Sequence, residues 1–586
     1  MKTLLQILTE KVSDAFKKCG YNYELGRVTV SDRQDLCEFQ CNGALSGAKQ
    51  YKKAPRIIAN EIKEKLVTDS DFEKVEVIGA GFININISSK LLIDYLVELN
   101  ADKSLGIPQT ENQETVVVDY GGPNCAKPLH IGHLRAAIIG ESLKRIALKT
   151  GRNAIGDVHL GDWGLQIGLV IAEVLERFPE YNYNDNNFDE EHEKIIKLNA
   201  EMLNEIYPFA SKKSKENTEF KSLAQQITAK MQKGHKGYLS LWKQILDISK
   251  DDFKIIYDSL NVHFEYWYGE SDAEKYVDRL TQILEDKNLL YESNGAMVVD
   301  VQQEDDKTEI PPVIIKKSDN SSIYATSDLA TILQRQLDFQ PTSIWYVVDS
   351  RQSLHFNQVF RCAKKASIVD ENATLEHLGF GTMNGKDGKP FKTRDGGVMK
   401  LSDLYDIVYE KALEKLSESN FVSKENIDDT AKKITVAALK FGDLINHRLK
   451  DYVFDVDKFI ATKGKTGVFL LYTVARINSL LKKLENSYDG SLDIKNIYSK
   501  LEKELLLKIA LTPEVFVKAF NEKAPNYICD NAYDLASVYS SFYNDNHITT
   551  ETDMDKKKTW ISLSMLVKKV LVNQLDALGI ETVEEM

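Results

Sequence analysis

Thr115-Val116-Val117-Val118-Asp119-Tyr120-Gly121-Gly122-Pro123-Asn124-Cys125-Ala126-Lys127-Pro128-Leu129-His130-Ile131-Gly132-His133-Leu134-Arg135 is the stretch whose reading decides the fold. Its first six residues form a short apolar run of the kind shown by a parallel strand buried on both faces. A glycine loop follows, and then a helix rich in Ala, Ile and Leu. Ligands of open α/β sheets sit at the carboxyl ends of the strands, where helix N-termini offer free N–H groups and a positive dipole end to phosphates. Further strand candidates at Asn153 to Leu160, Met297 to Val301, Pro312 to Lys316 and Ile344 to Val348 are separated by helical stretches, the pattern of a doubly wound parallel α/β sheet.

Outward from this core, residues 1 to 105 read as a separate α+β unit. It holds an amphipathic opening helix (Leu4, Leu5, Ile7, Leu8, Val12, Phe16), a strand at Cys37 to Asn42, a helix from Ala54 to Lys65 and the alternating strand Phe82 to Ile87. The polar stretch Ala101 to Glu114 reads as a linker. The sheet domain spans 115–430, with long helical segments between 165 and 290. After Thr430 strand signals give way to helical periodicity, so 440–586 reads as an all-helical domain.

A chain of 586 residues exceeds the size at which one core keeps growing, so two to four domains are expected. With 43% hydrophobic and 28% charged residues, it has no apolar run near the roughly 18 residues that a membrane span needs. The opening segment lacks the continuous apolar stretch and small-residue cleavage site of a secretory signal, and a cytoplasmic location is expected. Six sparse cysteines, with one close pair at Cys37 and Cys41, read as reduced buried thiols. The net charge of −13 counts against nonspecific nucleic-acid binding but leaves room for a local basic face.

His130 and His133 lie one turn apart at a helix start, with Gly132 between them giving a flat base or ribose room to approach the backbone. A metal pair would need a third ligand of plausible spacing, which is missing. Two surface histidines in a helix cap are another reading. Nucleotide binding is favoured because a glycine loop, Lys127 and the paired histidines coincide at one strand end. Neither a Walker loop nor a dinucleotide fingerprint occurs here.

His130-Ile131-Gly132-His133 resembles the HIGH signature of class I aminoacyl-tRNA synthetases, and the longer string from Gly121 to Glu141 is similar to the arginyl family's version. Gly156-Asp157-Val158-His159-Leu160-Gly161-Asp162-Trp163-Gly164-Leu165-Gln166-Ile167-Gly168 is similar to a second arginyl signature. The resemblance implies a Rossmann-like catalytic domain, an additional N-terminal tRNA-contacting domain and a helical anticodon-binding domain. It also implies activation of L-arginine with ATP and its transfer to arginine tRNA, Mg²⁺ accompanying the ATP, no dedicated protein metal site, and a monomer.

A site for arginine must hold a planar guanidinium, and the matching partner is a carboxylate able to accept two parallel hydrogen bonds. A helix starting near Thr326 would set Tyr324 and Asp328 on one wall, and Gln352 follows the strand candidate Ile344 to Val348 at its carboxyl end. A carboxylate in a helix's first turn is the plainer reading of Asp328. The resemblance implies that Tyr324, Asp328 and Gln352 line the amino-acid pocket, with Asn124 and His133 completing it near the α-amino and carboxylate groups.

The family resemblance also implies ATP binding by His130, Gly132, His133 and Lys127. The KMSKS loop usual in the class is absent. Gly385 to Leu401 is similar to the degenerate arginyl form, and among its basic residues Lys386, Lys389, Lys392 and Arg394, the last two are the chosen phosphate contacts. Lys127 supplies the missing charge in this reading; a solvated basic turn is the alternative for any single lysine. In the helical region, aromatic and basic residues alternate, and Arg448, Tyr452, Phe454, Lys465 and Arg476 are candidate tRNA contacts. An ordinary helical core with a charged face is the competing reading. A lysyl-type synthetase would share the histidines but lacks the Tyr324, Asp328, Gln352 set; a noncatalytic RNA-binding paralogue need not keep the histidines, Lys127 and a phosphate loop.

Overall fold

The structure is a computed structural model, and it describes residues 1–316, 324–385, 387–389, 399–418, 422–484 and 491–586. Near the N-terminus, β1 (Val28–Val30), β2 (Phe39–Cys41), β3 (Phe72–Ile78) and β4 (Phe82–Ile87) form an antiparallel sheet in the order β1-β2-β4-β3. Ile83, Ile85 and Ile87 are fully buried on one side of β4, as its alternation requires. Leu4, Leu8, Val12 and Phe16 of the Leu4–Lys18 helix share that core. The stretch 102–114 is packed rather than free: Ile107 is buried, and Thr110 N–H donates to the Thr150 carbonyl.

The central sheet contains β5 (Thr115–Tyr120), β6 (Asn153–Asp157), β10 (Ser343–Val347) and β11 (Thr374–His377), all parallel, in the order β11-β10-β5-β6. Val116, Val117 and Val118 are at most 2% exposed, so β5 is covered on both faces, as its unbroken apolar run requires. After β5 the chain crosses to β6 on one side; after β10 it crosses to β11 on the other. The order therefore reverses between β5 and β10, and a crevice opens where their following loops part.

One expectation needs correcting. The strand candidates at Met297 to Val301 and Pro312 to Lys316 do not extend the parallel sheet. β7 (Leu290–Ser293), β8 (Ala296–Val299) and β9 (Val313–Lys316) form a separate antiparallel meander. Asn294 and Gly295, both at positive φ (52° and 76°), close the first hairpin, which two residues of this type do readily. A second correction is smaller: β13 (Tyr452–Val453) pairs in parallel with β12 (Met383–Asn384), so the last region is not purely helical.

The Ile131–Lys149 helix is buried nearly all round, because the sheet covers one side and the C-terminal helices cover the other. Ser142 Oγ donates to the Ala577 carbonyl, Arg145 pairs with Asp576, and Arg135 pairs with Asp443. The helix that opens at the histidines is thus also the spine on which the helical region is mounted.

Candidate active site

Backbone hydrogen bonds at the end of β5 fix both histidines. His130 is the N-cap of the Ile131–Lys149 helix, and its Nδ1 accepts the Gly132 N–H at 3.0 Å. His133 Nδ1 accepts the His130 N–H at 3.0 Å, and the two rings lie 4.0 Å apart at 31°. Burial and the nearby Lys127 cation hold His130 down at about 4; burial, His130 and Lys127 hold His133 at about 3. Both rings are therefore neutral at pH 7, and because each Nδ1 is already an acceptor, each proton sits on Nε2. The pair is two preset N–H donors rather than two cations.

Gly132 is explained by the same geometry. A Cβ there would meet His130 Cε1 at 2.7 Å, so the glycine makes room for the histidine ring folded over it, rather than directly for a base or ribose. Asn124 sits where the loop after β5 runs beside the loop after β6: Cys125 N–H donates to the Gly161 carbonyl and Gly161 N–H to that of Pro123, both at 3.0 Å. A Cβ on Gly161 would fall 2.1 Å from Asn124 Oδ1, so the two signature strings are packed against each other in space.

The other wall comes from the Tyr324–Phe339 helix and the turn after β10. The helix begins by Tyr324, two residues before the expected start, and still puts Tyr324 and Asp328 one turn apart on one face. The Tyr324 ring, 67% exposed, stands at the rim. Asp328 Oδ2 is 2.6 Å from His355 Nε2, and His355 lies one turn beyond the exposed Gln352.

Sequence reasoning missed Glu270. It opens a short helix, in a segment whose bridges at Asp157–Tyr266 and Leu160–Gly269 lay it along the loop after β6. Burial, with the negative charges of Asp162 and Asp328, pushes this carboxyl up to about 7, and burial together with the Glu270 charge raises Tyr324. No spacing from Asp328 could reveal it, because 57 residues of chain intervene. Asp119 and Asp157, beneath the crevice, share the fully buried Arg335 guanidinium at 2.8 and 2.6 Å.

The remaining candidates separate. Lys127 is half-buried beside the histidines. Lys386, Lys392 and Arg394 lie outside the described residues. Tyr452 and Phe454 are core residues, 8% and 3% exposed: Tyr452 lies under the Arg135 guanidinium and Phe454 edge-on to Phe459, so neither offers a free face for a base to stack on. Arg448 donates to the Gly379 carbonyl at 2.7 Å. Lys465 and Arg476 remain on a surface with aromatic rings, Lys465 over Tyr533 and Arg476 over Tyr472 and Tyr543.

A parallel sheet with a histidine pair capping the helix after its first strand is the architecture of a class I aminoacyl-tRNA synthetase, and the comparisons with known proteins agree. Family models match at residues 4–87 (arginyl tRNA synthetase N terminal domain), 95–456 (tRNA synthetases class I (R), catalytic domain) and 470–586 (DALR anticodon binding domain). The chain is 48% identical to the arginine--tRNA ligase of Alkaliphilus oremlandii and 45% identical to that of Agathobacter rectalis, each alignment covering 100% of both chains. Solved structures of arginyl-tRNA synthetases from Plasmodium falciparum and Thermus thermophilus share its fold, each with a TM-score of 0.80 over 100% of both chains, at 24% and 19% identity. The chain belongs to the arginyl-tRNA synthetase family.

Proposed function

We propose that the chain activates L-arginine with ATP to arginyl-adenylate and pyrophosphate, and transfers the arginyl group to the 3′ end of arginine tRNA with release of AMP. The observation that carries this reading is that two acidic side chains, Asp328 and Glu270, near enough for Asp328 to help raise the Glu270 carboxyl, lie at the sheet end from which a helix starts with two neutral imidazole donors, His130 and His133. Asp328 and Glu270 would take the guanidinium, Tyr324 and Gln352 would line it, and Asn124 would meet the α-amino end. His130, His133, Gly132 and Lys127 would hold ATP, and Lys392 and Arg394 stay proposed phosphate contacts.

Activation is an in-line attack of the arginine carboxylate on the α-phosphorus, which needs positioning and charge stabilisation rather than a protein nucleophile. In the second step the terminal ribose hydroxyl of tRNA attacks the acyl carbon, and the adenylate phosphate can take its proton. Mg²⁺ would enter with the triphosphate, whose oxygens are its usual ligands. Residues 1–105 and 440–586 would contact tRNA on either side of a 115–430 catalytic domain, Lys465 and Arg476 being the contacts best placed for it. Arg448, Tyr452 and Phe454 would serve as their framework. A cytoplasmic monomer is part of the same proposal; among the described residues no helix is long and apolar enough to cross a membrane.

Arginine-dependent exchange of pyrophosphate into ATP, run with and without arginine tRNA, tests the function. Label should enter ATP with arginine and not with lysine; the opposite preference would sink the reading.

Glu270 gives a second test. With its carboxyl at about 7 in the free protein, roughly half of it is protonated at pH 7. A guanidinium brought beside it lowers that pKa, so arginine binding should release roughly half a proton. Calorimetry at pH 7 in two buffers of different ionisation enthalpy reads this directly, and Glu270→Gln should abolish the difference. Buffer-independent heats in the wild type would remove Glu270 from the pocket.

A further inference from the structure

The Arg135–Asp443 pair lies where the two sides of the crevice and the helical region meet. Arg135 Nε donates to Asp443 Oδ2 at 2.9 Å, and the two side chains are 2% and 1% exposed. Its Nη1 donates to the Lys450 carbonyl at 3.1 Å, and the guanidinium lies 5.1 Å from the Tyr452 ring and 5.8 Å from that of Phe380. Arg135 stands two residues beyond His133 on the histidine helix. Asp443 closes the Ile427–Leu444 helix, which packs on the Gly467–Leu484 helix so closely that a Cβ on Gly467 would fall 2.3 Å from the Ala437 carbonyl oxygen.

Phe380 supplies the third connection. Its carbonyl accepts from Ser350 N–H at 3.3 Å and Ser350 Oγ at 3.0 Å, in the turn that leads to Gln352. The chain beyond it is laced to the Lys450 segment: Gly381 N–H donates to the Arg448 carbonyl, Thr382 N–H to Asp451 Oδ1, and β12 pairs with β13. One guanidinium on the histidine helix therefore touches the support of the Gln352 turn and the helix that leads into the region carrying Lys465 and Arg476.

Stability alone does not call for an ion pair here. Well-packed apolar side chains of equal volume hold a buried interface as well as a desolvated pair, or better. What the guanidinium adds is direction, because one planar group donating Nε to Asp443 and Nη1 to the Lys450 carbonyl fixes angle as well as distance. We infer that Arg135 and Asp443 are positioning residues for adenylate formation: they set the histidine Nε2 donors relative to the amino-acid side of the crevice. This rests on the function proposed above.

The role predicts a fall in kcat without a matching change in KM, since misplacement of about 1 Å costs on the order of 10²-fold in rate. The double variant Arg135→Met/Asp443→Leu keeps volume and removes the guanidinium; Arg135→Lys keeps the charge and serves if the double variant does not fold. Lys440→Met is the control at the same interface, since Lys440 Nζ donates to the carbonyls of Asn261 and Gly579 and touches neither wall. Arginine-dependent exchange is measured per active site, titrated by adenylate formation, alongside thermal unfolding. The expected result is kcat about 10²-fold lower in folded pair variants, with KM for arginine and ATP within about threefold, and near-normal kcat in Lys440→Met. Wild-type kcat in a folded pair variant, or an equal loss in Lys440→Met, would overturn the inference. Failure of the wild type to exchange with arginine would instead overturn the function.

Discussion

Asp328→Asn is expected to raise KM for arginine and lower kcat/KM by about 10² to 10³-fold, with KM for ATP nearly unchanged. Removing one partner of a buried, hydrogen-bonded charge pair costs roughly 2–5 kcal/mol, and about 1.4 kcal/mol is a factor of ten. The asparagine keeps size and planarity, so the loss reports charge and acceptor geometry rather than a cavity. His355 sharpens the test. Its Nε2 lies 2.6 Å from Asp328 Oδ2, which orients the carboxylate. If Asp328 were only a helix-surface carboxylate paired with His355, lying past the first turn, Asp328→Asn would change stability by no more than about 1 kcal/mol and leave arginine kinetics alone. Steady-state exchange kinetics at several arginine concentrations, with a thermal melt, separate these outcomes.

How far the sequence could be read depended on how local each feature is. β5 and its loop were legible because burial on both faces, the turn and the helix start are written in consecutive residues. Tyr324 and Asp328 shared a face for the same reason: one helical turn needs no tertiary information. Glu270 was invisible, since only the pairing of 266–269 with the loop after β6 brings it near Asp328. The meander was misread although Asn294-Gly295 advertises its hairpin; short apolar runs between helices look alike whether their sheet is parallel or antiparallel. Tyr452 and Phe454 show the converse error. Alternating aromatic and basic residues fit an RNA face and a core equally well, and an arginine one turn into another helix, Arg135, lies over the buried Tyr452.

His130→Ala and His133→Ala are each expected to lower kcat by about 10² to 10³-fold, the usual loss when one preset donor to a developing negative charge is removed. KM for ATP should move far less, because a donor that serves the transition state contributes little to ground-state binding. Since both rings are neutral well above their depressed values of about 4 and 3, the wild-type rate at saturating arginine, where the bound guanidinium keeps Glu270 ionised, should show no step near pH 6.5, where free histidine titrates. The two losses should not multiply. His133 Nδ1 accepts the His130 backbone N–H and the tilted rings lie 4.0 Å apart, so removing His133 also releases His130 from its setting. The double variant should therefore fall short of the product of the single losses, as groups acting as a unit do. Single-turnover adenylate formation in all three variants across pH 5.5–8.5 checks both points. A fully multiplicative double loss would mean that each ring acts alone, and a rate step near pH 6.5 that vanishes with either histidine would mean that the imidazoles work as cations.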